Sequence, residues 1–176
     1  MTNHANIWAP WRMAYLRSLK DQAPAPEKIE SDFFRSYWEH PEQDEVNLVV
    51  YRTESGLILL NRYPYANGHL LIALGKPAPR LSDYSEEERA EFWKLVDTAS
   101  KLVHRTLNPQ GLNMGINEGD AAGAGVPEHL HAHVVPRWSG DTNFMTVVGS
   151  VRVAPDALES VASAYVDAID QGVLDG

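Results

Sequence analysis

A chain of 176 residues with 44 % apolar and 22 % charged residues has the composition of one soluble globular domain, long enough to bury a core. It contains no cysteine, which excludes disulfides and thiolate-held metal and fits a cytoplasmic, reducing compartment. The net charge of −9 without any Lys/Arg cluster argues against tracking along nucleic acid. A few pocket donors would still suffice for a small phosphorylated ligand.

Trp8, Pro10 and Trp11 stand where a secretory leader would carry basic and then apolar residues, so no signal peptide is expected. The apolar runs are far shorter than the roughly 20 residues that cross a bilayer. Residues 1–28 are expected to form an aromatic segment, IWAPWRMAYL, packing on the body or a partner subunit, and a proline-bearing linker, DQAPAPEK. SDFFRSYWEH at 31–40 reads as a short helix that turns Phe33, Phe34, Tyr37 and Trp38 to the core. Strands are predicted at 46–52 and 56–61, joined by the turn Glu54-Ser55-Gly56, and at 69–74 after the loop RYPYANG. Ser85 followed by Glu88 has the spacing of a capping box. Phe92, Leu95, Val96, Ala99, Leu102 and Val103 then recur at helical period until Asn108-Pro109 stops the helix. A fourth strand at 111–117, a glycine-rich loop and a fifth strand at 129–135 follow. Pro155 opens a closing helix through Leu158, Val161 and Tyr165 to Ile169. The expected fold is α+β: an antiparallel sheet of about five strands, one long helix and a C-terminal helix. The expected divisions are an N-terminal segment (1–28), a central domain (29–150) and a C-terminal helix and tail (151–176).

The fifth strand carries the chemistry, in PEHLHAHVVPRW at 127–138. Strand alternation places His129, His131 and His133 on one face, with Leu130, Ala132 and Val134 on the other. Imidazoles on one face must meet water, a ligand or partners that satisfy their nitrogens. Two chemistries fit. Imidazole binds zinc, copper and iron, although Glu128 points to the wrong face to complete such a site. Alternatively, one ring is a nucleophile and its neighbours hold it and bind an anion, since imidazole, with a reference pKa of ~6.5, is largely neutral at cytoplasmic pH.

His129-Leu130-His131-Ala132-His133-Val134-Val135 resembles the signature of the histidine triad nucleotide hydrolases and transferases, the HIT family. NRYPYANGH at 61–69, INEG at 116–119, the glycine-rich loop and VVPRW agree with it, over roughly residues 30 to 150. IWAPWRMAYL and GDTNFM at 140–145 further resemble a bacterial subgroup that includes diadenosine tetraphosphate phosphorylases. The resemblance implies that His131 attacks the α-phosphorus of a nucleotide to form a nucleotidyl-histidine, its other nitrogen held by a backbone carbonyl near His129. It implies that His129 and His133 flank the phosphoryl oxygens, one of them protonating the leaving group, and that His69 supports the cluster. Asn61 would bind the ribose, Asn117 would donate to phosphate, and the loop from Gly119 to Gly125 would offer backbone N–H groups. The implied reaction is cleavage of a nucleotide phosphoanhydride or phosphoramidate bond, by phosphate or by water. Diadenosine polyphosphates are the implied substrates, with no required cofactor beyond any divalent ion that accompanies them. The implied assembly is a homodimer joined through its sheets, or a higher homo-oligomer if the aromatic N-terminal segment adds contacts.

Three departures stand against the family pattern. Gly125-Val126 replace the Gln-Ser or Gln-Thr that many members carry ahead of the triad. Asp32 and Arg35 stand about where zinc-binding members carry Cys-x-x-Cys, so no structural zinc is expected. Glu128 is an added charge without an assigned role. Two other readings remain at this point: a nucleotide-binding scaffold with little turnover, and a His-rich metalloprotein. A neutral histidine nucleophile also predicts activity falling below roughly pH 6.

Overall fold

The computed structural model describes residues 32–141 and 156–175. The aromatic N-terminal segment, GDTNFM beyond Asp141, and Pro155 lie outside the described residues. Helix α1 (Phe33–Glu39) starts at Asp32, whose side chain accepts the Arg35 N–H. A turn of helix, α2 (Asp44–Asn47), occupies the start of the first expected strand, so β1 runs only over Val49–Arg52. Local bonding explains the difference. The Leu48 N–H donates back to the α2 carbonyls with Leu48 at φ +58°, and Asp44 is held by Arg52 Nε at 2.6 Å.

Strands β2 (Gly56–Leu60) and β3 (Leu70–Leu74) are buried at every residue, as expected for strands covered on both faces. The long helix α3 (Glu86–Leu107) begins in the predicted capping box: Ser85 Oγ accepts the Glu88 N–H, and the Glu88 carboxylate accepts the Ser85 N–H at 2.8 Å. Asn108, left-handed at φ +45°, ends it before Pro109. Strand β4 (Gly111–Ile116) and strand β5 (His131–Arg137) complete an antiparallel sheet of order β1-β2-β3-β5-β4. Strand β5 therefore starts two residues later than the expected 129–135. The His129 N–H donates to Val126 and the Leu130 N–H to Ala78, so the ladder opens only at His131, opposite Ala73.

The sheet has two unlike faces. Ile58, Leu60, Leu70, Ile72, Leu74, Ala132 and Val134 form the main core with α3 and with the C-terminal helix α4 (Leu158–Asp170), which contributes Val161 and Tyr165. On the other face Leu57, Leu59, Leu71, Ala73 and Val126 pack with Phe34 of α1, flanked by Phe33, Tyr37 and Trp38. His131 and His133 alternate onto this second face, the one without the long helix.

Tyr165 links the core to the histidines. Its hydroxyl donates to the Gly68 carbonyl at 2.8 Å, immediately before His69. Gly68 has φ +76°, and a Cβ there would lie 2.2 Å from Leu107, so the close approach requires glycine. Removing the hydroxyl in Tyr165→Phe leaves a buried carbonyl unpaired and should cost about 1–3 kcal/mol. Urea unfolding checks this; an unchanged midpoint contradicts the linkage.

Candidate active site

Strand pairing brings the candidates together. His131 lies opposite Ala73 and His133 opposite Leu71, while His69 leads directly into β3. His69 and His129 are fully buried, and His131 is 4 % exposed. The His131 and His133 rings are 5.1 Å apart between centroids, as are those of His69 and His133.

The hydrogen bonds assign a proton to each ring. His131 Nδ1 lies 2.9 Å from the His129 carbonyl oxygen, which can only accept, so Nδ1 carries the proton and Nε2 keeps its lone pair. No partner bonds that Nε2 among the described residues. A chain of donors sets His133 the opposite way. The Tyr65 N–H donates to His69 Nδ1 at 3.1 Å, and the Asn61 amide reaches the same nitrogen at 3.2 Å. His69 therefore carries its proton on Nε2, which donates to His133 Nδ1 at 3.0 Å. The His133 proton is left on Nε2, a buried atom without a partner among the described residues. Side by side, one ring offers an electron pair and the other an N–H.

His129 is arranged differently from the expectation. Its Nδ1 lies 2.7 Å from Asp32 Oδ1 and its Nε2 2.7 Å from the Leu74 carbonyl. Both nitrogens are occupied, so this ring braces the cluster and has no nitrogen left to donate to a phosphoryl oxygen. Asn61 caps the turn after β2, its Oδ1 accepting the Tyr63 N–H at 2.9 Å, while its amide nitrogen holds His69. Asn117 leaves β4 just after Ile116, which faces Ala132, and so emerges beside the triad strand half-buried. Gly125 is exposed at the loop's end, next to the buried Val126. The N–H groups of Ala122, Gly123 and Ala124 bond within the loop, which leaves fewer to aim at an anion than the sequence suggests. Arg137 continues β5 but is bound to Asp141 and Asn113, and Glu128 is exposed.

Three contributors escaped the sequence reading. Tyr65 stacks on His133, with centroids 5.7 Å apart and planes 14° from parallel. Phe34 lies 4.8 Å from the His131 ring and 5.3 Å from that of His129. Asp32 grips His129 across 97 positions of sequence. For Asp32 the sequence offers only a position where zinc-binding relatives carry a cysteine, and for Phe34 an apolar side chain of a short helix. A structural zinc does not fit here, because Asp32 is committed to His129, and Arg35, a cation paired with Glu39, replaces a second thiolate.

The HIT domain family model matches residues 42–140, more than half of the chain. The chain belongs to the HIT family. AP-4-A phosphorylase of Mycobacterium tuberculosis is 38 % identical over 157 residues, spanning 86 % of this chain and 77 % of that protein. Bis(5'-adenosyl)-triphosphatase of Dictyostelium discoideum is 33 % identical over 89 residues, 51 % of this chain and 59 % of that one. Among solved structures, a zinc-bound histidine triad family protein from Mycobacterium smegmatis superposes with a TM-score of 0.63 at 27 % identity, covering 80 % of this chain and 96 % of the other. The α+β architecture expected of a HIT protein is thus the one observed.

Electrostatics keep the two central rings of this HIT site neutral. Burial lowers the His131 pKa below its ordinary value; the bond to the His129 carbonyl opposes the shift and charge on His129 adds to it. Burial, with a smaller effect of His131, pushes His133 down to about 4. The His131 ring thereby stays neutral further into acid than a free imidazole does. The same burial couples His133 to folding. The unfolded chain binds its proton below pH ~6.5 and the folded chain only near 4, so this contribution is complete above ~6.5 and lost as the pH falls toward 4. Stability measured by denaturant should decline between about pH 6.5 and 5, and less steeply in His133→Gln. Identical slopes in the two proteins contradict a buried neutral His133.

Proposed function

We propose that the protein is a nucleotidyl hydrolase or transferase that cleaves a phosphoanhydride bond of diadenosine polyphosphates through a covalent intermediate on His131. The observation that carries this reading is the opposed tautomers of His131 and His133. A nucleophile needs an available lone pair, and the departing oxygen needs a donor, and the two rings supply these from adjacent same-face positions. The names of the relatives, a diadenosine tetraphosphate phosphorylase and a diadenosine triphosphatase, support the substrate class.

In the first step His131 Nε2 attacks the α-phosphorus. A P–N bond forms, the P–O bond of the anhydride breaks, and the nucleoside polyphosphate departs, its oxygen accepting a hydrogen bond from His133 Nε2–H. Charge moving onto the phosphoryl oxygens then meets the proposed donors beside the buried His131 ring. In the second step an oxygen of inorganic phosphate or of water attacks the phosphorus and the P–N bond breaks. Phosphate gives a nucleoside diphosphate; water gives a monophosphate. Asn61 keeps one N–H and one acceptor pair beyond its two contacts, enough for a ribose hydroxyl, and Asn117 and the backbone at Gly125 are the proposed phosphate donors in place of the missing glutamine.

The reading extends to a cytoplasmic homodimer, supported by the absence of cysteine and by the exposed edge strand β4, where Met114 is 55 % exposed. Among the described residues no helix is long and apolar enough to cross a membrane. Sedimentation at the monomer mass would reject the dimer, and recovery in a membrane fraction would reject the location. For the chemistry, diadenosine tetraphosphate supplied with and without phosphate should yield ADP only when phosphate is present if phosphate resolves the intermediate, or AMP without it if water does. His131→Ala should lose at least about 10³-fold in turnover. Turnover by His131→Ala at the wild-type rate removes the proposal.

A further inference from the structure

We propose that Asp32 and His129 form a buried imidazolium–carboxylate pair, and that Asp32 is through it a positioning residue for the nucleophile. The pair stands on the geometry alone, while its positioning role rests on the function proposed above.

The argument is a count of protons. The Leu74 carbonyl, 2.7 Å from His129 Nε2, can only accept, so Nε2 carries a proton. Nδ1 lies 2.7 Å from Asp32 Oδ1, and a hydrogen bond there needs a second proton, on the ring or on the carboxyl. Imidazole ordinarily holds its proton to ~6.5 and an aspartic acid only to ~3.9. Asp32 Oδ1 also accepts the Arg35 N–H, a second donor for which a carboxylate oxygen has the lone pairs. The second proton therefore belongs to the ring, and a charged imidazole faces a charged carboxylate. The His129 side chain is fully buried and that of Asp32 18 % exposed, so solvent screens the pair little.

Such a pair does three things for His131. It clamps the His129 ring at both edges, between the start of α1 and the end of β3, and so holds still the His129 carbonyl that keeps the His131 proton on Nδ1. It fixes the first turn of α1, and with it Phe34, against the His131 ring. It also places a positive charge beside His131, which discourages protonation of the nucleophile. No other residue of the site supplies all three. A carboxylate on α1 thereby reaches the reacting atoms only through His129.

The Asp32→Asn variant separates charge from shape, because asparagine still caps a helix but cannot pair with an imidazolium. With ¹⁵N-labelled histidine at pH 7, the wild-type signal that disappears in His129→Asn should show both ring nitrogens protonated, and in Asp32→Asn only one. That readout needs no turnover, and the wild-type spectrum decides the pair even should the variant fail to fold. Kinetically, Asp32→Asn should lower kcat by about 10–100-fold with KM within roughly twofold. A wild-type His129 with a single protonated nitrogen overturns the pair. An unchanged kcat, or a loss confined to KM, overturns the positioning role. Failure of the function proposed above would appear instead as undiminished turnover by His131→Ala, with the ring spectra unaffected.

Discussion

One hydrogen bond organises the site: the His131 Nδ1–H donated to the carbonyl of His129. Imidazole is tautomeric, and in water its proton exchanges between the two nitrogens, so that neither is dependably nucleophilic. A carbonyl can only accept, and one placed 2.9 Å from Nδ1 removes the ambiguity. Both ends of that bond belong to one stretch of chain, separated by a single residue. Its geometry therefore depends on how the backbone enters β5, and the surrounding structure fixes that entry. Val126 and Ala78 take the N–H groups of His129 and Leu130, and the ladder with Ala73 begins at His131.

The two faces of the sheet divide the labour. Alternation sends Ala132 and Val134 into the main core beneath α3 and α4, which anchors β5, and sends His131 and His133 to the opposite side. That second face is partly apolar, with Phe34, Leu71, Ala73 and Val126, and this burial keeps the rings neutral further into acid than solvent would. His69 and Tyr165 tie the faces together, since the tyrosine hydroxyl holds the carbonyl of Gly68 one residue before the histidine that orients His133. A site of this kind is a product of core packing as much as of polar contacts.

Much of this was legible in the sequence because it is local. The capping box at Ser85 and Glu88, the apolar stripe from Phe92 to Val103 and the stop at Asn108-Pro109 are set within a few residues, and each appears as read. The same-face placement of His131 and His133 follows from the two-residue period of any strand. What the sequence concealed depends on distant partners. The start of β1 gave way to a helical turn because Asp44 found Arg52, and β5 began late because Ala78 captured the Leu130 N–H. His129 shares the spacing of its neighbours yet does a different job, since Asp32 and Leu74, 97 and 55 positions away, occupy its nitrogens. No periodicity encodes such a contact.

The measurement that bears most directly on the central claim is the capture of the intermediate itself. Substrate mixed briefly with the enzyme, denatured at neutral pH to spare a P–N bond, and digested for mass spectrometry should show one added nucleoside monophosphate on the peptide bearing His131. The adduct should vanish when the enzyme is left to complete its turnover. Turnover without any adduct on that peptide, or an adduct carried by a different side chain, would contradict the account.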